Sequence, residues 1–305
     1  MKIKLLGVLI IVIAFVSCEL GTKLTKDTKE TVVTGTTTIL VDESIFPIVE
    51  DVVAVFENEY KNAQINLICK PEGEIIRLLK EDKSKIAILA RNLSRSELQY
   101  FTNKKIIPRV TEFGEDAVVF ITHKSNALET VSVDALASKL KGAASQWENT
   151  IVFENPESST LSFLKTNLEM NTFDPKTVFS MHDSKELIRF ISANKNAVGI
   201  VGVNWILQPP VDIEQDVQNI KILGVNIPKI IDGKSSVKPN QSNIADHSYP
   251  WIRKLYLLNF QGANGLGMGF ASYIAGENGQ RILLKSGLSP IKFPTREINI
   301  KGSIE

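Results

Sequence analysis

Cysteine, histidine and surplus charge are what this 305-residue chain has least of: two cysteines, three histidines and a formal net charge of +1. Two cysteines build no disulfide framework, so the folded part must rest on its hydrophobic core. His123, His182 and His247 lie far apart, with no second ligand at metal-site spacing, and no metal is expected. Lysine and arginine are scattered, which leaves neither a basic stripe for nucleic acid nor an acidic block for a solvated tail. There is no G-x-S-x-G elbow and no Walker loop. The alternating glycines Gly265, Gly267 and Gly269 are wrongly spaced for a dinucleotide loop and read as a tight turn before a helix starting near Phe270. Carboxylates are many, but none stands out as an acid–base pair. These absences argue against an enzyme and against a cofactor.

Long hydrophobic runs are also missing. The longest, residues 5–16, is broken only by Gly7 and falls short of the ~20 residues that cross a bilayer. It follows Lys2 and Lys4 and leads into Val16-Ser17-Cys18. That is the layout of a bacterial lipoprotein signal, with residues 1–17 removed and Cys18 acylated. The mature chain is then expected outside the cytoplasm, on the periplasmic side of a bacterial membrane and held to it by lipid. Residues 18–35 are polar and rich in Lys and Thr, a flexible tether. Cys69 follows the apolar run 65–68 and reads as a buried, inert thiol.

From residue 36 the pattern alternates. A β-branched run at 38–41 is followed by the turn Asp42-Glu43-Ser44, then by Ile48, Val49, Val52, Val53, Phe56 and Tyr60 at helical spacing. Ser44 and Pro47 stand where a cap and a first-turn proline belong. A strand at 65–68, a turn at 70–73, a helix around Ile75–Leu79 and a wholly apolar strand at 86–90 come next. Past a crossing near 117–121, strands are expected at 151–153, 198–203 and 221–225, with helices at 161–168 and 185–191. Residues 232–240 read as a loop, 251–260 as a returning strand and 270–285 as one helix ended by Gly287. Strand–helix alternation predicts an α/β protein with mostly parallel sheets flanked by helices. Two lobes fit better than one continuous sheet: lobe 1 from 36–118 with 246–297, lobe 2 from 119–245.

Polar turns directly before helices are the strongest candidates for a site. Asp42-Glu43-Ser44 precedes one helix and residues 155–160 (NPESST) another. Free N–H groups and the positive end of the helix dipole lie at such starts, though Ser and Thr are favoured there as plain caps too. Arg91 follows the buried 86–90 strand, at the carboxyl end where ligands bind in open α/β sheets, and offers a fork for a tetrahedral oxyanion.

The order of several segments then resembles a family. Thr36-Thr37-Thr38, DESIFPIVEDVVAVFENEY, KPEGEIIRLL, IAILARNLSRSE and GEDAVVFI, followed by NPESSTLSFL, AVGIVGVNW, YPWIRKLY and GFASYIAGENGQRILLKSGLSP, are similar to phosphate-binding receptors of ABC importers. The likeness runs from about residue 36 to 296 and is nearest the lipid-anchored branch of Bacteroidetes-type bacteria. It implies a two-lobed type II periplasmic-binding-protein fold. It also implies capture of inorganic phosphate or a related oxyanion, hand-off to an inner-membrane permease, and a monomer with no cofactor. The ligand residues it implies are Ser44, Ile45 and Phe46 in the first turn, Arg91, and Asn155, Ser158, Ser159 and Thr160 in the second. Two departures stand out: Glu72 where a hydroxyl is expected, and Glu154 or Asn155 where an arginine often precedes the serine turn. They leave a second expectation, a tethered sensor or scaffold of the same fold that binds a protein or another ligand.

Overall fold

The computed structural model describes residues 30–143, 147–231 and 234–294. Cys18, the expected signal segment and residues 18–29 of the expected tether lie outside the described residues. The elements run β1 (Gly35–Asp42), a 3-10 turn (Glu43–Ile45), α1 (Phe46–Glu59), β2 (Ala63–Lys70), α2 (Glu72–Lys80), β3 (Ile86–Leu89), α3 (Arg95–Asn103) and β4 (Arg109–His123). They continue with β5 (Thr130–Val131), α4 (Val133–Leu140), β6 (Thr150–Phe153), α5 (Ser159–Asn167), β7 (Val178–Ser180), α6 (Ser184–Ala193), β8 (Ala197–Gly202) and α7 (Asn204–Leu207). Then come α8 (Glu214–Val217), β9 (Ile220–Ile222), β10 (Gly224–Ile231), β11 (Lys234–Val237), α9 (Gln241–Ala245), β12 (Ile252–Asn259), α10 (Leu266–Ile274), α11 (Glu277–Lys285) and β13 (Ser289–Pro290).

Strand order is β2-β1-β3-β12-β4-β8-β6-β7, a curled mixed sheet flanked by helices, with β13 and β9 also pairing with β4. β1, β2 and β3 run parallel, as do β6, β7 and β8. β4 joins the two sets. Its first part pairs antiparallel with β12 as far as Ala117, and from Val118 it pairs antiparallel with β8. The ladder is therefore not interrupted where the partner changes; one long strand serves both halves. The carboxyl ends of β1 and β3 on one side meet those of β6 and β8 on the other, the crevice where open α/β sheets hold ligands.

Packing follows the periodicity. Ile48, Val49, Val52, Val53 and Phe56 bury one face of α1 in the main core, and the four residues of β3 are fully buried. Each such side chain contributes roughly 1.5–3 kcal/mol. Pro47 sits in the first turn of α1, but Ser44 is not its cap: Ile45 occupies that position without a side-chain bond, and Asp42 accepts from the Ser44 N–H instead.

Several local expectations are corrected. Residues 232–240 hold β11, which pairs with β10. The 270–285 helix is two helices, broken at Ala275-Gly276, because a helix start at Glu277 competes with continuation. The glycine run is no turn. Gly265 starts α10, while Gly267 and Gly269 lie inside it, where a Cβ on Gly269 would stand 1.6 Å from the Val32 carbonyl oxygen. Gly287 does end α11, at φ +80°. Cys69 is exposed, because β2 presents it toward a cavity instead of the core.

Candidate functional site

The second polar turn is built by its own side chains. Asn155 Oδ1 accepts from the Glu157 N–H at 2.9 Å, and its carbonyl accepts from Ser158 N at 3.2 Å. Ser158 then caps α5, accepting from Leu161 N at 3.3 Å. The N–H groups of the next residues have no acceptor within the helix, and the dipole adds to their pull on an anion. Ser158, Ser159 and Thr160 are all buried.

Opposite them stands the turn that ends β1. Ser44 Oγ lies 2.8 Å from Ser159 Oγ, across the crevice. The turn is gripped by the far half of the molecule. Asn204 Nδ2 donates to the Ser44 carbonyl at 2.7 Å, Trp205 Nε1 to the Glu43 carbonyl at 2.9 Å, and Ser184 N to the Glu43 carboxylate. Gly202 makes the approach possible, since a Cβ there would come 2.2 Å from the Ser44 carbonyl oxygen.

The guanidinium at the centre is Arg253, which sequence reasoning missed. β12 pairs with β4 so that Arg253 stands opposite Asp116. Nε and Nη2 bind the two Asp116 oxygens at 3.0 and 2.5 Å, and Nη1 donates to Ser159 Oγ at 2.9 Å. Both residues are buried. Burial works against the arginine's charge, but Asp116 outweighs it and holds Arg253 above its ordinary value. The available signal was an Asp and an Arg, each inside an apolar strand pattern.

Glu154 changes the meaning of the departure noted in the sequence. It is fully buried at the end of β6, with Thr160 Oγ1 donating to Oε1 at 2.5 Å. Burial pushes its carboxyl up to about 8. Burial therefore favours the neutral acid, and Oε2 has no hydrogen-bond partner among the described residues. A neutral carboxylic acid donates a hydrogen bond instead of repelling an anion.

Arg91 stands apart from this cradle. Its fork is spent on Glu97, at 2.7 and 3.0 Å, while Nε binds Glu72 at 3.0 Å. The reason is local: Glu97 is the third residue of α3 in a capping box with Ser94, which sets its carboxylate beside the arginine. Glu72, buried at the start of α2, has its carboxyl raised by burial in spite of Arg91. Ile45 is core, and Phe46 and Asn155 line a cavity beside the cradle. The structure thus brings together Ser44, Ser158, Ser159 and Thr160, adds Arg253 and Glu154, and leaves Arg91 at the rim.

A profile of the PBP superfamily domain matches residues 26–278. The chain belongs to the PBP superfamily. No curated protein sequence matches it. Among solved structures, this PBP chain is similar to a putative phosphate ABC transporter substrate-binding protein with bound phosphate from Clostridium perfringens. That match has TM-score 0.69 and 19% identity, and covers 85% of this chain and 100% of the other. It is also similar to an ABC-type phosphate transport receptor from Vibrio cholerae, with TM-score 0.61, 16% identity and coverage of 84% and 100%. A possible phosphate-binding protein from Planctomyces limnophilus gives TM-score 0.55, 14% identity and coverage of 85% and 94%. At these identities the likeness establishes the fold of the PBP chain. Among the described residues no helix is long and apolar enough to cross a membrane.

Proposed function

We propose that this chain is an extracytoplasmic solute receptor, lipid-anchored through Cys18, that binds inorganic phosphate or a related tetrahedral oxyanion and delivers it to an ABC importer. The two lobes, 36–118 with 246–297 and 119–245, close on the anion as they hinge about the partner change in β4. The observation that carries this reading is the convergence of Ser44 Oγ, Arg253 Nη1 and the start of α5 on one buried point. Hydroxyls, helix N–H groups, a charged guanidinium and the neutral Glu154 acid are all donors. The Ser44–Ser159 hydroxyl pair is the contact an oxyanion would replace, each hydroxyl turning to donate to it.

Calorimetric titration of folded, ligand-free protein with phosphate, sulfate, molybdate and carboxylates tests it. Saturable heat with at least one tetrahedral oxyanion is expected, and no heat with any of them sinks it.

One observation favours the second reading, a tethered sensor or scaffold: Glu72 and Glu154 are both buried at the crevice, at 4% and 0% exposure. If Glu154 were ionised when closed, the crevice would reject a dianion and the fold would serve a protein partner. The same titration separates the two.

A further inference from the structure

Beside the cradle lies a cavity of about 430 Å³ that oxyanion capture leaves unused. It falls in the range of pockets that hold organic ligands. Both halves of the molecule supply its wall, and it abuts the cradle through Glu43 and Asn155, which belong to the two polar turns.

The charges on that wall do not cancel. Lys70 is paired with Glu74 at 3.0 Å, and Lys185 with Asp212 at 2.8 Å. Among the described residues Glu43 has no lysine or arginine partner, and Asp183 faces only His182 while it caps α6, accepting from Glu186 N at 2.8 Å. Glu43, only 6% exposed, takes a backbone N–H from Ser184, and Asp183 lies 3.5 Å from Nδ1 of the exposed His182. The two carboxylates come from opposite halves and sit close enough for Asp183 to help raise the Glu43 carboxyl, which burial has already pushed up to about 7. Phe46 and Trp205 complete the wall with aromatic rings. Carboxylates lacking a cation, beside aromatic rings, are the chemistry that recognises an organic ammonium group.

We propose that this cavity receives the ammonium group of an aminoalkyl phosphate or phosphonate whose anionic end occupies the cradle; this rests on the oxyanion reading given above. Glu43 and Ser44 are consecutive residues of one turn, so the cavity wall and the cradle adjoin. The ligand's own positive charge also balances the carboxylates that outnumber guanidinium groups around the crevice.

The test is calorimetric titration of the protein with inorganic phosphate, ethylphosphonate and 2-aminoethylphosphonate, repeated on Glu43→Gln and Asp183→Asn. The amine should tighten binding about tenfold over ethylphosphonate in the parent, the scale of one exposed charge interaction. Each variant should bring that ratio toward one; Asp183→Asn keeps the α6 cap if Glu43→Gln folds poorly. Equal affinities for the two phosphonates in the parent, or a ratio that neither variant moves, would overturn the inference while heat with phosphate leaves the receptor reading standing. No heat with any of the three overturns both.

Discussion

Replacing Glu154 by Gln isolates one buried proton. Glu154 is fully buried, and its carboxyl is raised from 4.5 to about 8. The folded state therefore holds a proton that the unfolded chain gives up near pH 4.5. Stability from this group is fully present below pH 4.5 and is lost progressively as the pH rises toward 8, after which it changes little. At 1.36 kcal/mol per pH unit, the loss between pH 5 and pH 8 is on the order of 3 kcal/mol. Gln copies the neutral acid in shape, can still accept from Thr160, and has no proton to lose. The variant should match the parent at pH 5 and exceed it at pH 8 by that amount. Urea unfolding of both proteins at the two pH values measures it, and the difference between proteins cancels the parallel trends of Glu43 and Glu72. A parent and variant that lose the same stability over this window would refute the argument and mean that Glu154 is ionised in the fold.

Arg253→Met should weaken oxyanion binding by about 10- to 100-fold, the loss of one charged hydrogen bond. It should also destabilise the fold by roughly 3–5 kcal/mol, because Asp116 is left buried and unpaired. Adding Asp116→Asn should restore stability but not affinity, as read by urea unfolding and calorimetry. Arg91→Ala should spare affinity far more than Arg253→Met does, while costing about 1–3 kcal/mol as Glu72 loses its partner; a larger affinity loss than in Arg253→Met would put the anion at the rim. Gly202→Ala drives a Cβ against the Ser44 carbonyl oxygen. It should cost about 1–3 kcal/mol and lower oxyanion affinity together, and an unchanged melting temperature would mean that the turn moves freely.

Much of the fold was legible because apolar periodicity is a local signal. The α1 face and the buried β3 follow from it, whereas α3, α4 and β7 were not expected and the expected strand at 221–225 is divided between β9 and β10. What was not legible depends on pairing. β11 is polar, and only its ladder with β10 makes it a strand. The break between α10 and α11 depends on Gly276 giving way to a new helix start. In the site, Ser44 and the 158–160 turn could be picked out, since helix starts show in sequence. Arg253 could not, because its value comes from the register that sets it opposite Asp116, 137 positions away. Arg91 shows the converse: the strand end is a good place for an anion-binding arginine, and the pairing with Glu97 of the α3 capping box could not be seen in sequence. Glu154 stood out as a departure, and only its burial explains why its carboxyl is raised.

The account turns on what occupies the point between Ser44, Arg253 and the start of α5. A crystal structure of the protein grown with phosphate measures that directly. The account predicts a tetrahedral anion there, within hydrogen-bond distance of Ser44 Oγ, Ser159 and Arg253 Nη1, with the Ser44–Ser159 hydroxyl contact replaced. An intact 2.8 Å hydroxyl contact, with phosphate absent from the crevice at saturating concentration, would contradict it.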